Sequence, residues 1–147
     1  MSDILDRLSV LASSPAQRMD KALEVARVIK VARAYRWVGL YDVTPEEIVA
    51  VAWAGSDPPA YPRFPVTKGL SGTAVATREP VVVQDVAADP RYLRTFGSTC
   101  AEAIFPVTID GRVVGTIDVE SDRANAFGSE DEEFLKTCTQ ILKPLWA

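Results

Sequence analysis

A chain of 147 residues suits one domain with a single core, and 48% hydrophobic with 24% charged residues exclude both a disordered chain and a disulfide scaffold. A net charge of −4 argues against nucleic acid, which calls for clustered Lys and Arg. With no His and only Cys100 and Cys138, neither an ordinary zinc site nor an imidazole base can be assembled, so no metal and no cofactor is expected.

In chain order, Ile4, Leu5, Leu8 and Leu11 give a short amphipathic helix, and Ser14-Pro15 reads as the N-cap and first position of a second. Met19, Ala22, Leu23, Ala26 and Ile29 carry that second helix to about Ala34 at helical spacing. Trp37 to Val43 and Ile48 to Ala54, rich in β-branched and aromatic residues, form a hairpin. Pro58, Pro59, Pro62 and Pro65 break regularity around one short edge strand near Phe64. A glycine turn from Lys68 then feeds a short helix that ends before Pro80, and Val81 to Val83 form a strand. Asp85 to Ser98 is polar and loop-like, and strands follow over 101–109 and 112–120. Ser129 and Glu132 fit a capping box for the last helix, whose stripe is Phe134, Leu135, Cys138, Ile141, Leu142 and Leu145. No apolar run approaches the ~20 residues of a bilayer span, and acids among the first ten residues do not fit a signal peptide, so no membrane and a cytoplasmic location are expected. The order predicts one α+β domain over residues 1–147, an antiparallel sheet of five to six strands with the N- and C-terminal helices on one face.

The hairpin turned by Asp110-Gly111 has two possible registers. A two-residue loop mixes polar and apolar groups on both faces. A three-residue loop closing in a bulge at Gly111 sets Thr108 opposite Arg112 and pairs even with even. One face then carries Ala103, Phe105, Val107, Val113, Gly115, Ile117 and Val119, and the other brings Glu102, Asp118 and Glu120 together, with Glu102 opposite Asp118. Three carboxylates without Lys or Arg among them raise one another's pKa and call for a cation, a ligand amine or retained protons; the alternative is a solvated polar face. In the first hairpin Trp37, Gly39 and Tyr41 share a face, where the glycine leaves room for a small molecule and the aromatics suit an ammonium group; the same rings also suit plain core packing.

The Trp37-Val38-Gly39-Leu40-Tyr41 strand, Lys68-Gly69-Leu70-Ser71-Gly72-Thr73-Ala74, Val83-Gln84-Asp85-Val86, Glu102 before Pro106, Asp110-Gly111 and Gly115-Thr116-Ile117-Asp118-Val119-Glu120-Ser121 together resemble a GAF domain of the free methionine-(R)-sulfoxide reductase type. The resemblance covers about three quarters of the chain. It implies a pocket for a free amino acid, enclosed by aromatics of the first strand and contacted by carboxylates at Glu102, Asp118 and Glu120, the last standing where the family usually has Asp. The departure lies in the thiols. Ser71 stands where the family normally has Cys, its loop cysteine falls near Thr95 in this chain, and the loop before Glu102 offers only Cys100. Sulfoxide reduction needs an attacking thiolate and a resolving thiol or external reductant.

Ser71 between two glycines reads as a helix N-cap. A helix start there also suits an anion, so an amino-acid ligand is expected with its ammonium at the acids and its carboxylate near Ser71 and Gly72. The expected function is a non-catalytic sensor or regulatory module for an amine-bearing small molecule, working in signal transduction. The alternative is a divergent reductase with Cys100 as nucleophile, and a third reading keeps the fold for homodimerisation through the terminal helices.

Overall fold

The computed structural model describes residues 2–147; Met1, which the single-domain expectation includes, lies outside the described residues. Helices α1 (Ser2–Ser13) and α2 (Arg18–Ala32) precede strands β1 (Trp37–Val43), β2 (Glu47–Ala54) and β3 (Arg63–Pro65). Helix α3 (Gly69–Thr77), strands β4 (Val81–Val83), β5 (Ala101–Ile109) and β6 (Arg112–Ser121), and helix α4 (Ser129–Ile141) follow. The six strands form one antiparallel sheet in the order β3-β2-β1-β6-β5-β4. The expected α+β architecture and strand inventory are borne out.

The core lies between one face of this sheet and helices α1, α2 and α4. Leu8 of α1, Val25, Ala26 and Ile29 of α2, and Phe134, Leu135 and Cys138 of α4 meet Val38, Leu40, Ala103, Phe105, Ile117 and Val119 from the strands. Each Val, Leu, Ile or Phe among them, fully buried, contributes roughly 1.5–3 kcal/mol, so this layer fixes which face of the sheet is left for the site. Helix α3 covers part of the opposite face, packing Leu70 and Ala74 on Val81, Val83 and Ile104.

Three local expectations are corrected. Ser14-Pro15 does not open α2: the helix begins at Arg18 after Gln17, which makes no side-chain cap. The Lys21 ammonium instead donates to the carbonyls of Ala12 and Ser14 at 3.0 and 2.9 Å, closing the C-terminus of α1 and holding the Ser-Pro segment outside both helices. Met19 accordingly stands 67% exposed, while Val25 and Val28 are buried. Helix α4 is entered through Gly128, whose N–H donates to Asp131 Oδ2 at 2.9 Å. Asp131 therefore takes the role expected of Glu132, and only the half of a capping box that needs no N-cap side chain forms.

The third correction concerns register. Asp110 and Gly111 both have positive φ, 52° and 77°, and form a two-residue primed turn with Ile109 opposite Arg112. A bulge follows: Thr108 opposes Val113 while Val107 opposes Gly115, leaving Val114 as the extra residue. The bulge restores the expected even-with-even pairing, but two residues further along, so Glu102 faces Glu120 and Ile104 faces Asp118. Val114 also replaces Val113 against the main core.

Candidate functional site

The site occupies the sheet face away from α1, α2 and α4. The β1–β6 pairing sets Trp37 opposite Glu120, Gly39 opposite Asp118 and Tyr41 opposite Thr116, so the aromatic and acidic residues of two central strands alternate onto one surface. Strand β5 adds Glu102 beside Glu120. Oxygens of Glu102, Asp118 and Glu120 approach within 4.8 Å of one another, and all three residues are buried.

The room expected at Gly39 is already filled. A Cβ there would stand 2.4 Å from Trp37 Cη2 and 2.9 Å from Tyr41 Cε1, so the glycine lets the two rings fold over it rather than leaving an open slot. Trp37 and Tyr41 lie 6.5 Å apart by ring centroid; Phe96 sits 5.5 Å from Trp37, and Phe64 meets Tyr41 edge-on at 6.1 Å. These rings, Pro59, Tyr61, Leu93, Thr95, the three acids and the start of α3 enclose a cavity of about 20 Å³, room for one water.

The acids are not compensated. Burial pushes Glu102 well above the usual carboxylate range, and the charges of Asp118 and Glu120 and a hydrogen bond with Asp118 push it further. Burial likewise raises Asp118, against the lowering effect of its bond with Glu102. Glu120 is raised by burial and partly relieved by hydroxyl donors and by the Arg36 charge: Thr99 donates to its Oε1 at 2.8 Å, and Thr95 donates to the same oxygen. Asp118 Oδ1 and Glu120 Oε2 have no partner, and no cationic side chain forms an ion pair with any of the three among the described residues. At this spacing each carboxylate opposes the ionisation of its neighbours, which favours the protonated forms. Three carboxylates in this arrangement can hold an ammonium group or a hard cation.

Six of the eight residues singled out from the sequence line this cavity: Trp37, Tyr41, Ser71, Glu102, Asp118 and Glu120. Gly72 does not. A Cβ there would meet the Thr67 carbonyl carbon at 2.6 Å, so it is a packing glycine under the turn. Ser71 is not the N-cap of α3; that position is Lys68, and Ser71 is buried in the first turn, with Gly69 and Leu70, at the cavity wall. Cys100 is also absent from the lining; its Sγ lies 3.7 Å from the Ser98 carbonyl. Cys138 is fully buried in the core, its thiol pushed up to about 12 by desolvation. Sequence reasoning missed Phe64, Leu93, Thr99 and Phe96; a lone Phe within the polar 85–98 loop was the one visible signal for the last.

Residues 12–142 match the GAF domain family. The chain belongs to that family. It is 30% identical to GAF domain-containing protein A of Dictyostelium discoideum over 97% of its own length and 88% of that protein. It is 26% identical to free methionine-R-sulfoxide reductase of Escherichia coli, over 76% of this chain and 66% of that one. Among solved structures, free methionine-R-sulfoxide reductase from Neisseria meningitidis in complex with its substrate matches this GAF domain with a TM-score of 0.89 at 28% identity, covering 99% of this chain and 87% of that one. The resemblance read from the sequence is thus borne out. In this GAF domain, Thr95 and Ser71 line the cavity at the two places where the family's thiols were expected, and no cysteine is among the described residues that line it.

Proposed function

We propose that this GAF domain is a non-catalytic receptor for a small ammonium-bearing molecule, such as a free amino acid, acting as a sensor or regulatory module. The observation that carries the reading is the buried, uncompensated trio Glu102, Asp118 and Glu120 beneath aromatic walls. An ammonium group would replace retained protons and satisfy the orphan oxygens of Asp118 and Glu120, with Trp37 and Phe96 offering their faces to it. A ligand carboxylate would meet the first turn of α3 at Gly69, Leu70 and Ser71, where no side chain caps the helix.

A cavity of about 20 Å³ is too small for an amino acid, so binding opens the segment carrying Leu93, Thr95 and Phe96, and the Thr95 and Thr99 bonds to Glu120 yield first. Redox turnover is disfavoured because Thr95 and Ser71 are not nucleophilic thiols and Cys100 lies outside the lining.

The test is a thermal-shift titration with free amino acids, including both epimers of methionine sulfoxide, paired with an assay of methionine formation with a dithiol reductant. The expected result is a dose-dependent rise in Tm for one class of amine without methionine formation. Methionine formation abolished by Cys100→Ser would make the domain a reductase and overturn the reading.

A further inference from the structure

The outer edge of β2 is only partly covered. Strand β3 pairs with Glu47, Ile48 and Val49, and one further bond joins Ala50 N–H to the Pro62 carbonyl. From Val51 to Ala54 no strand, loop or side chain among the described residues pairs with that edge. Alongside it runs a groove of about 680 Å³, walled by Met19, Leu23 and Val31 of α2 and by Val51 and Trp53 of β2. Met19, Val31 and Trp53 are 67%, 79% and 37% exposed, an apolar set that monomeric surfaces seldom gather beside a free strand edge.

The charges on the rim identify the occupant. Arg27 and Lys30 stand on it with Asp20, so an acidic domain places two cations against one acid on this lining. Lys30 has no carboxylate within 4 Å among the described residues, and Arg27 only Glu24 at 3.7 Å. Those cations complement acids on the partner, while the open edge asks for extended backbone.

We propose that an extended segment of a partner protein, alternating apolar and acidic residues, adds a strand along Val51–Ala54, with its carboxylates on the α2 side at Arg27 and Lys30 and its apolar side chains on the other face of the sheet beside Trp53. The groove touches the ligand cavity through one residue. A Cβ on Gly55, at the end of the groove, would stand 2.3 Å from Trp37 Cδ1, so Trp37 packs against the groove floor while its ring walls the cavity. The surface is separate from the acidic trio, and the proposal stands whether or not that trio binds an amine.

The probe is a blocked six-residue peptide alternating glutamate and valine, titrated into the 15N-labelled domain. Amide shifts confined to Val51–Gly55 and α2 are expected, with saturable binding that weakens at least tenfold in R27E/K30E and again in Trp53→Ala. Circular dichroism checks that the variants fold, and the same peptide with lysine for glutamate, which leaves the protein unaltered, is expected not to bind. Absence of saturable binding, equal binding of the lysine peptide, or shifts centred on the acidic trio would overturn the proposal. So would a concentration-dependent dimer in sedimentation that R27E/K30E abolishes, since that would assign the groove to a second copy.

Discussion

Two buried acidic sites on opposite faces of the sheet show what compensation does. Asp131, at the start of α4, accepts from Arg33 Nε at 2.6 Å, Tyr35 Oη at 2.7 Å and Gly128 N–H at 2.9 Å. Burial alone would raise its pKa, but the Tyr35, Arg33 and Gly128 bonds outweigh it and hold the carboxyl below the usual range. The trio of Glu102, Asp118 and Glu120 is more deeply buried still, only Thr95 and Thr99 donate to it, and Glu102 and Asp118 lie well above the usual range. Asp131 joins α2 to α4 and its partners are complete. The trio is tied only to the 95–99 segment through Glu120, and Asp118 Oδ1 and Glu120 Oε2 are left without a partner.

That contrast can be broken at its stronger end first. Asp118→Asn is expected to weaken the amine found by thermal shift about a hundredfold, roughly 3 kcal/mol, as for loss of a charge-assisted bond in a dry site; titration calorimetry measures it. Asp131→Asn acts on folding instead. It strands Arg33 and Tyr35 and is expected to cost about 2–3 kcal/mol in urea unfolding, with ligand affinity unchanged. The pH dependence has a definite sign. Asp131 is lowered in the fold, so its stabilisation is present above the ordinary carboxylate pKa and is lost as pH falls through its folded value. D131N should therefore lose its penalty in acid. Thr95→Val removes one donor to Glu120 and is expected to lower stability by about 1 kcal/mol. Cys100→Ser, the smallest case, should leave both affinity and stability within experimental error.

The sequence disclosed one of these two regions better than the other. Alternating polarity in 101–109 and 112–120 was enough to gather Glu102, Asp118 and Glu120 on one face, because a strand has only two faces. It could not give the offset. The Asp110-Gly111 turn and the Val114 bulge move the pairing by two residues while preserving parity, so Glu102 faces Glu120 without any change in which residues share a face. Gly39 suggests open space because sequence shows only an absent side chain, whereas neighbouring rings decide what fills it. The Ser14-Pro15 and Ser71 signals resemble caps, but the Lys21 bonds to Ala12 and Ser14 and the Pro65–Lys68 turn accompany helix starts at Arg18 and Gly69 instead. Leu93, Phe96, Thr99 and the Asp131 clamp depend on contacts between segments distant in sequence, and no local pattern encodes such contacts.

The central claim, that the trio is destabilising until a cation joins it, can be tested without knowing the ligand. The measurement is urea unfolding of the free domain from pH 5 to pH 8, wild type against E102Q/D118N. Folded-state pKa values above the unfolded ones mean that the unfolded chain ionises first, so wild-type stability should fall as pH rises through this range. The variant should lack most of that slope and be the more stable protein at pH 8. Parallel pH profiles, with the variant less stable throughout, would show that the carboxylates stabilise the fold on their own and would contradict the account.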